Sequence, residues 1–297
     1  MSFPHRLRWH LKNPHQSLKR IGLLAKVRQL GWINSVKRAP VVKPGGPVVS
    51  LTTHNKRIYT VHLTIESIGR GSLLPSRLIL WLDDKSLFDS LPPALRRLQD
   101  RGLEIKLSEN YGPYTKFYPY VASLPEFHAP LITADDDVLY PPNWLQGLAA
   151  AYAQYPDFIN CYRARLVSVD ETGMDRYKNY HLLDTTAPSI CHMGTGVSGI
   201  IYPPAFQKIL KDAGTRFTDT CPKGDDLWLY LCALRSGYKV RQIRTQPLEF
   251  PGIPGTQDIA LHLQNISHDD GNDRQIKATF TEADIAILRR ALAEYVA

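Results

Sequence analysis

No run of eighteen or more apolar residues occurs in the chain, so no membrane-spanning helix is expected. The N-terminus carries Arg6, Arg8, His10 and Lys12 but lacks a long apolar core ending at a small-residue cleavage site, so it does not read as a secretory leader. Cysteine is scarce: residues 161, 191, 221 and 232 form no Cys-x-x-Cys pair and are too few to staple a chain of 297 residues. Four reduced thiols in a cytoplasmic, reducing setting are expected. A Gly-x-Ser-x-Gly elbow is also missing, which removes the support for serine hydrolase chemistry. Acidic residues are absent from the start of the chain, the first being Glu66.

That last absence reshapes the charge balance. The net charge is +8, yet residues 1–43 alone hold ten Lys/Arg and no Asp or Glu. The remainder carries 26 basic and 28 acidic residues, a net of −2. The chain therefore reads as a near-neutral domain (44–297) behind a basic, helical arm (1–43). A nucleic-acid binder needs its positive surface on the fold itself, so no nucleic-acid partner is expected. An anionic membrane surface suits such an arm, with the protein peripheral on the inner face of the cell membrane. Within the arm, residues 17–38 read as a helix with Ile21, Leu24, Val27 and Leu30 toward one side. The Pro- and Gly-rich stretch 39–47 marks the junction.

Beyond it an alternating αβ grammar begins. Apolar, β-branched strands are predicted at 48–52, 77–82, 103–107 and 130–133, with helices at 58–69, 91–101 and 116–124 between them. Near-continuous apolar strands separated by helices predict an α/β fold with a mixed, mostly parallel central sheet flanked by helices. In residues 143–245, helices are predicted at 143–155, 205–213 and 225–236, and strands at 158–169 and 238–243. Residues 170–192 read as loop, 245–275 hold no clear element, and a capped helix starts at Thr281 with Asp284 completing the box. The domain divides into a first half at 44–142, a second half at 143–245, and a C-terminal loop and helix at 246–297.

Ligands of such sheets sit beyond the carboxyl ends of the strands. Two acidic sets fall there: Asp83–Asp84, and Asp135, Asp136 and Asp137. Three adjacent carboxylates repel one another, and a hard divalent cation that also bridges a diphosphate would offset that cost. Mg²⁺ or Mn²⁺ is therefore expected as cofactor. In an extended segment Asp135 and Asp137 would point one way and Asp136 the other.

With TADDDVLYPPNWL closing the first half, the chain resembles nucleotide-sugar-dependent glycosyltransferases of the GT-A fold, most closely the family-2-type transferases of bacterial surface polysaccharides. The resemblance covers roughly residues 48–245. It implies transfer of a sugar from a nucleotide-diphospho-sugar donor to a saccharide or lipid-linked saccharide acceptor, with inversion. The family's Asp-x-Asp motif would be Asp135-Asp136-Asp137, with metal on Asp135 and Asp137. Thr52, Thr53 and Arg57 would surround the nucleotide, Asp83 or Asp84 would lie near the base, and Lys116 would supply positive charge. Thr195 and Gly196 of GTGVSG would line the junction of donor and acceptor. KGDDLWLYL (223–231) resembles the family's acidic pair at a helix start, implying Asp226 as general base with Asp225 orienting it. A late histidine often completes the metal shell in this fold, and His262 or His268 would be that residue. The alternatives are a nucleotidyltransferase making activated sugars, whose usual Gly-rich basic loop is missing here, and a non-catalytic sugar-binding domain of the same fold.

Overall fold

Successive residues of the central strands enter opposite cores, as required of a sheet covered on both faces. The computed structural model describes residues 14–171, 173–256 and 271–296. It opens with α1 (Pro14–Val36), then β1 (Val48–Thr52), α2 (Val61–Ile68), β2 (Arg77–Leu82), α3 (Lys85–Asp89), α4 (Pro93–Gln99), β3 (Leu103–Leu107), α5 (Tyr118–Ser123), β4 (Leu131–Thr133) and α6 (Trp144–Gln154). The second half comprises β5 (Ile159–Cys161), β6 (Ala164–Leu166), β7 (Val169–Asp170), β8 (Gly173–Met174), β9 (His181–Leu182), β10 (His192–Gly194) and β11 (Ile200–Tyr202). It continues through α7 (Pro204–Ala213), α8 (Phe217–Thr220), α9 (Asp225–Ser236), β12 (Val240–Gln242), α10 (Gly271–Thr279) and α11 (Glu282–Val296).

Seven strands form the main sheet in the order β12-β5-β11-β4-β1-β2-β3. β11 runs antiparallel to both neighbours, and the other pairings are parallel. The expected mixed, mostly parallel α/β sheet is therefore present. Val49, Leu51, Leu78, Leu80 and Leu82 bury into one core. Val48, Ile79 and Trp81 bury into the other, shared with α7 and α9. α9 is buried nearly all round and stops at Gly237, whose φ of +72° supplies the left-handed C-terminal turn.

Four sequence expectations need revision, the first being 245–275, read without a clear element, where α10 begins at Gly271. The strand predicted over 158–169 is two: β5 belongs to the main sheet, and β6 leaves it to pair with β10 and β9. Arg163 and Arg165, alternating in an apolar stretch, mark the departure, since a doubly covered strand cannot bury two guanidinium groups cheaply. Within the stretch read as loop, 170–192, lie the short strands β7, β8 and β9. On α1, Leu30 buries against Leu63, Leu139 and Ile253, with Leu23 and Val27 partly covered beside it, and Ile33 is buried as well. Ile21 and Leu24 face away, so the four residues do not share one buried side. The lower end of α1 is fixed by a buried polar cluster. Asn34 Nδ2 donates to Glu66 Oε1 at 3.0 Å, and the same carboxylate accepts two bonds from Arg101. No helix among the described residues is long and apolar enough to cross a membrane.

Candidate active site

The carboxyl ends of β1, β2 and β4 open into a cleft of about 1290 Å³. Thr52, Arg57, Asp83, Asp84, Lys116, Asp135, Asp136, Asp137, Thr195, Gly196, Asp225 and Asp226 all line it. Residues separated by more than 170 positions thus meet in one place. Thr53 lies behind the wall, and its hydroxyl donates to Asp136 Oδ2 at 2.6 Å. His262 and His268 lie outside the described residues.

The three aspartates do different work. After β4 the chain turns at Asp136 and Asp137 instead of staying extended, so the predicted alternation of side chains does not apply. Asp136 is buried and spent on structure, accepting from Thr53 and from Arg57 Nη1 at 2.8 Å. Its backbone carbonyl accepts from the Thr64 hydroxyl at 2.9 Å. Asp137 lies 3.1 Å from Arg57 Nη2, yet burial pushes its carboxyl up to about 6 against the pull of Arg57. Asp135 is the most open of the three, and its backbone N–H is held by the Tyr140 hydroxyl at 2.9 Å. Tyr140 in turn stacks on Trp144 with ring centroids 4.1 Å apart.

Lys116 joins the two acidic sets. Its Nζ lies 3.1 Å from Asp135 Oδ1 and 2.9 Å from Asp225 Oδ2. Burial opposes the charge, but Asp135, Asp225 and Asp226 together hold the ammonium well above its ordinary range. The turn carrying Lys116 (Gly112–Lys116) is anchored from beneath. Tyr114 stacks on Phe217 at 3.8 Å and donates its hydroxyl to the Cys221 carbonyl.

Asp225 and Asp226 open α9, where the helix N-terminus favours negative charge. Asp226 Oδ1 accepts from the Gly196 N–H at 2.9 Å. Burial, then Asp225, push its carboxyl up to about 7 in spite of Lys116. A carboxylate poised near neutrality is suited to taking a proton from a hydroxyl. A Cβ at Gly196 would sit 3.2 Å from Asp226 Oδ1 and 3.4 Å from Lys116 Nζ, so the close approach depends on glycine.

The other candidates divide. Asp84 caps α3, accepting from the N–H groups of Ser86 and Leu87, and the Ser86 hydroxyl helps hold its carboxyl below the usual range. Asp83 lines the cleft beside it. Thr52 donates to the Trp81 carbonyl at 3.1 Å. Asn55, at the cleft, is the one non-glycine residue with positive φ among those described (φ 50°). His192, adjacent to GTGVSG, is core: its ring contacts the Val240 carbonyl and Tyr295 hydroxyl, and burial lowers it to about 4.

Sequence reasoning missed Arg163, Arg165 and Tyr177 on the cleft wall. Arg163 Nη1 donates to Thr195 Oγ1 at 2.9 Å, and its Nε lies 2.9 Å from Glu249. Arg165 lies over the Tyr177 ring at 5.3 Å. The available signal was the pair of arginines at alternating positions after β5.

A divalent cation fits this donor set only in one way. Among the described residues no group of three or more His, Cys, Asp or Glu could hold a metal. Asp135 and Asp137 supply carboxylate oxygens at the cleft, which suits an ion held by one or two carboxylates plus phosphate and water.

No protein-family model matches the chain, and no curated protein does. Two solved structures illustrate what it is similar to. One is the CMP:2-keto-3-deoxy-manno-octonic acid synthetase complexed with CTP, at 11% identity and a TM-score of 0.40, over 75% of this chain and 99% of that one. The other is the inositol-1-phosphate CTP transferase from T. maritima, at 12% identity and a TM-score of 0.43, over 81% of this chain and 100% of that one. One is described as a synthetase complexed with CTP and the other as a CTP transferase, and neither as a glycosyltransferase. The glycosyltransferase expectation is corrected accordingly: membership of that family, glycosyl transfer, the Asp-x-Asp label and surface-polysaccharide synthesis do not stand. The physical reason is that carboxylates at strand ends manage a nucleotide's phosphates whichever bond is broken, so their order along a chain does not choose the reaction.

Proposed function

We propose that the protein is a nucleotidyltransferase, moving a nucleoside monophosphate from a triphosphate onto a hydroxyl of a second substrate. The observation carrying this reading is Asp226: a carboxyl near neutrality, beside the Lys116 ammonium that bridges Asp135 and Asp225. The cleft exceeds the roughly 300–1,000 Å³ of a one-ligand pocket, which supports two substrates side by side. Arg57 and Lys116 put positive charge where the triphosphate would lie. Asp226 takes the acceptor's proton as its oxygen bonds to the α-phosphorus. The bond to the bridging α–β oxygen then breaks, and pyrophosphate leaves. Asp225 holds Lys116 and so orients the pair. Mg²⁺ or Mn²⁺, held by Asp135 and Asp137 with phosphate oxygens, would neutralise the triphosphate and the departing pyrophosphate.

The test is pyrophosphate release, with each nucleoside triphosphate, Mg²⁺ or Mn²⁺, and a panel of sugar-acid and polyol-phosphate acceptors. Release that requires both triphosphate and acceptor is expected. Nucleotide binding without release for any acceptor would overturn the reading in favour of a binding domain.

A further inference from the structure

α1 has two apolar faces, and only one is covered. Leu30 and Ile33 pack on the domain, whereas Leu18 and Trp32 are each 65% exposed, Ile21 63% and Val36 47%. At 100° per residue, Leu18, Ile21, Trp32 and Val36 fall within an arc of roughly 60°, directed away from the buried side. Five of the eleven exposed large hydrophobics among the described residues belong to this one helix. Scattered apolar residues need no explanation, but a row of them on one helix face does.

Charge narrows what covers the row. Lys19, Arg20 and Arg28 are exposed on the same helix, and Lys37 and Arg38 follow it. Residues 1–43 hold no acidic residue at all. A second copy would bring Lys19, Arg20, Arg28, Lys37 and Arg38 against their own counterparts, which disfavours self-association through this face. An apolar row with an interfacial Trp and basic flanks suits a helix lying in the plane of an anionic bilayer.

We propose that the outer face of α1 docks the protein on an anionic lipid surface, with Leu18, Ile21, Trp32 and Val36 inserted at the headgroup boundary and the flanking lysines and arginines on lipid phosphates. The inner face of α1 packs on Ile253, which also lines the cleft. The cleft wall is thereby held about one helix diameter, ~10 Å, from the lipid. This proposal is independent of the reaction assigned above.

The experiment is co-sedimentation of the full chain with vesicles of phosphatidylcholine mixed with phosphatidylglycerol, and with vesicles of phosphatidylcholine alone. Binding to the anionic vesicles that weakens as salt rises is expected. Ile21→Ser combined with Trp32→Ser, both outside the cleft, should cut partitioning at least about tenfold while leaving the circular dichroism spectrum unchanged. Failure to sediment with anionic vesicles at low salt would overturn the proposal, as would binding that survives the double variant or is equal on neutral vesicles. A dimer in sedimentation velocity that the double variant dissolves, without vesicle binding, would assign the face to a second copy instead.

Discussion

The two acidic regions of the cleft look alike in sequence and are built for different tasks. Of Asp135–Asp137, one member is consumed by Thr53 and Arg57, and the second is partly neutralised by Arg57. At α9 neither member pairs with an arginine among the described residues, and one shared lysine serves Asp135 as well as Asp225. The first region is partly compensated: Asp136 is spent on Thr53 and Arg57, while Asp135 and Asp137 keep carboxylate oxygens at the cleft. The second leaves Asp226 with excess negative potential, which is why burial and Asp225 push it up to about 7.

The largest expected effect separates the two regions directly. Asp226→Asn should lower turnover by about 10²–10⁴ with little change in nucleotide affinity, because a base is needed only as the new bond forms. Pyrophosphate release and calorimetry on the same protein measure both quantities, and near-normal turnover would remove Asp226 as base.

Next in size is the compensated region. Asp136→Asn leaves Arg57 without its closest carboxylate in a buried setting, and breaking such a pair costs about 3–5 kcal/mol. Urea unfolding should show that loss. A midpoint equal to that of the parent protein would mean Asp137 alone suffices for Arg57.

A smaller effect is expected at the contact between the regions. Gly196→Ala must push Asp226 or Lys116 by a few tenths of an ångström, and misplacement on that scale lowers turnover by about tenfold. Unchanged kinetics would show that the Gly196 contact with Asp226 is incidental.

The smallest effect is on pH dependence. Because Asp226 is raised from 3.8 to about 7, the folded state holds a proton that the unfolded state has released across that window. Stability contributed by this group therefore falls as pH rises through it, and is not regained above about 7. Asp226→Asn should melt above the parent protein by a margin that grows from about pH 4 to about pH 7, read by calorimetry. Acceptor kcat/KM in the parent protein should rise over the upper part of the same range as the base ionises.

Much of the framework was legible in residue order. β1, β2 and β3 occupy the predicted residues because β-branched and leucine-rich runs bounded by Pro, Gly and Asp admit few other readings. The acidic sets stand at strand ends, as the alternation of elements predicted. Less legible was 158–192, where very short strands pair across a small separate sheet and carry no periodicity of their own.

Residue order by itself determined the four parallel strands β1 to β4, the basic N-terminal stretch without acidic neighbours, and the carboxylates at the strand ends, because each is a local property of a few adjacent side chains. Only the tertiary structure decided which carboxylates are neutralised. Arg57 reaches across 79 positions to Asp136, and Lys116 across 109 to Asp225, distances over which no periodicity carries information. It likewise decided which face of α1 is covered: Leu30 meets Leu63, Leu139 and Ile253, Ile33 is buried, and the apolar row at Ile21 and Trp32 is left outward. Burial and charge compensation depend on neighbours brought by folding, and those neighbours set the chemistry of the cleft.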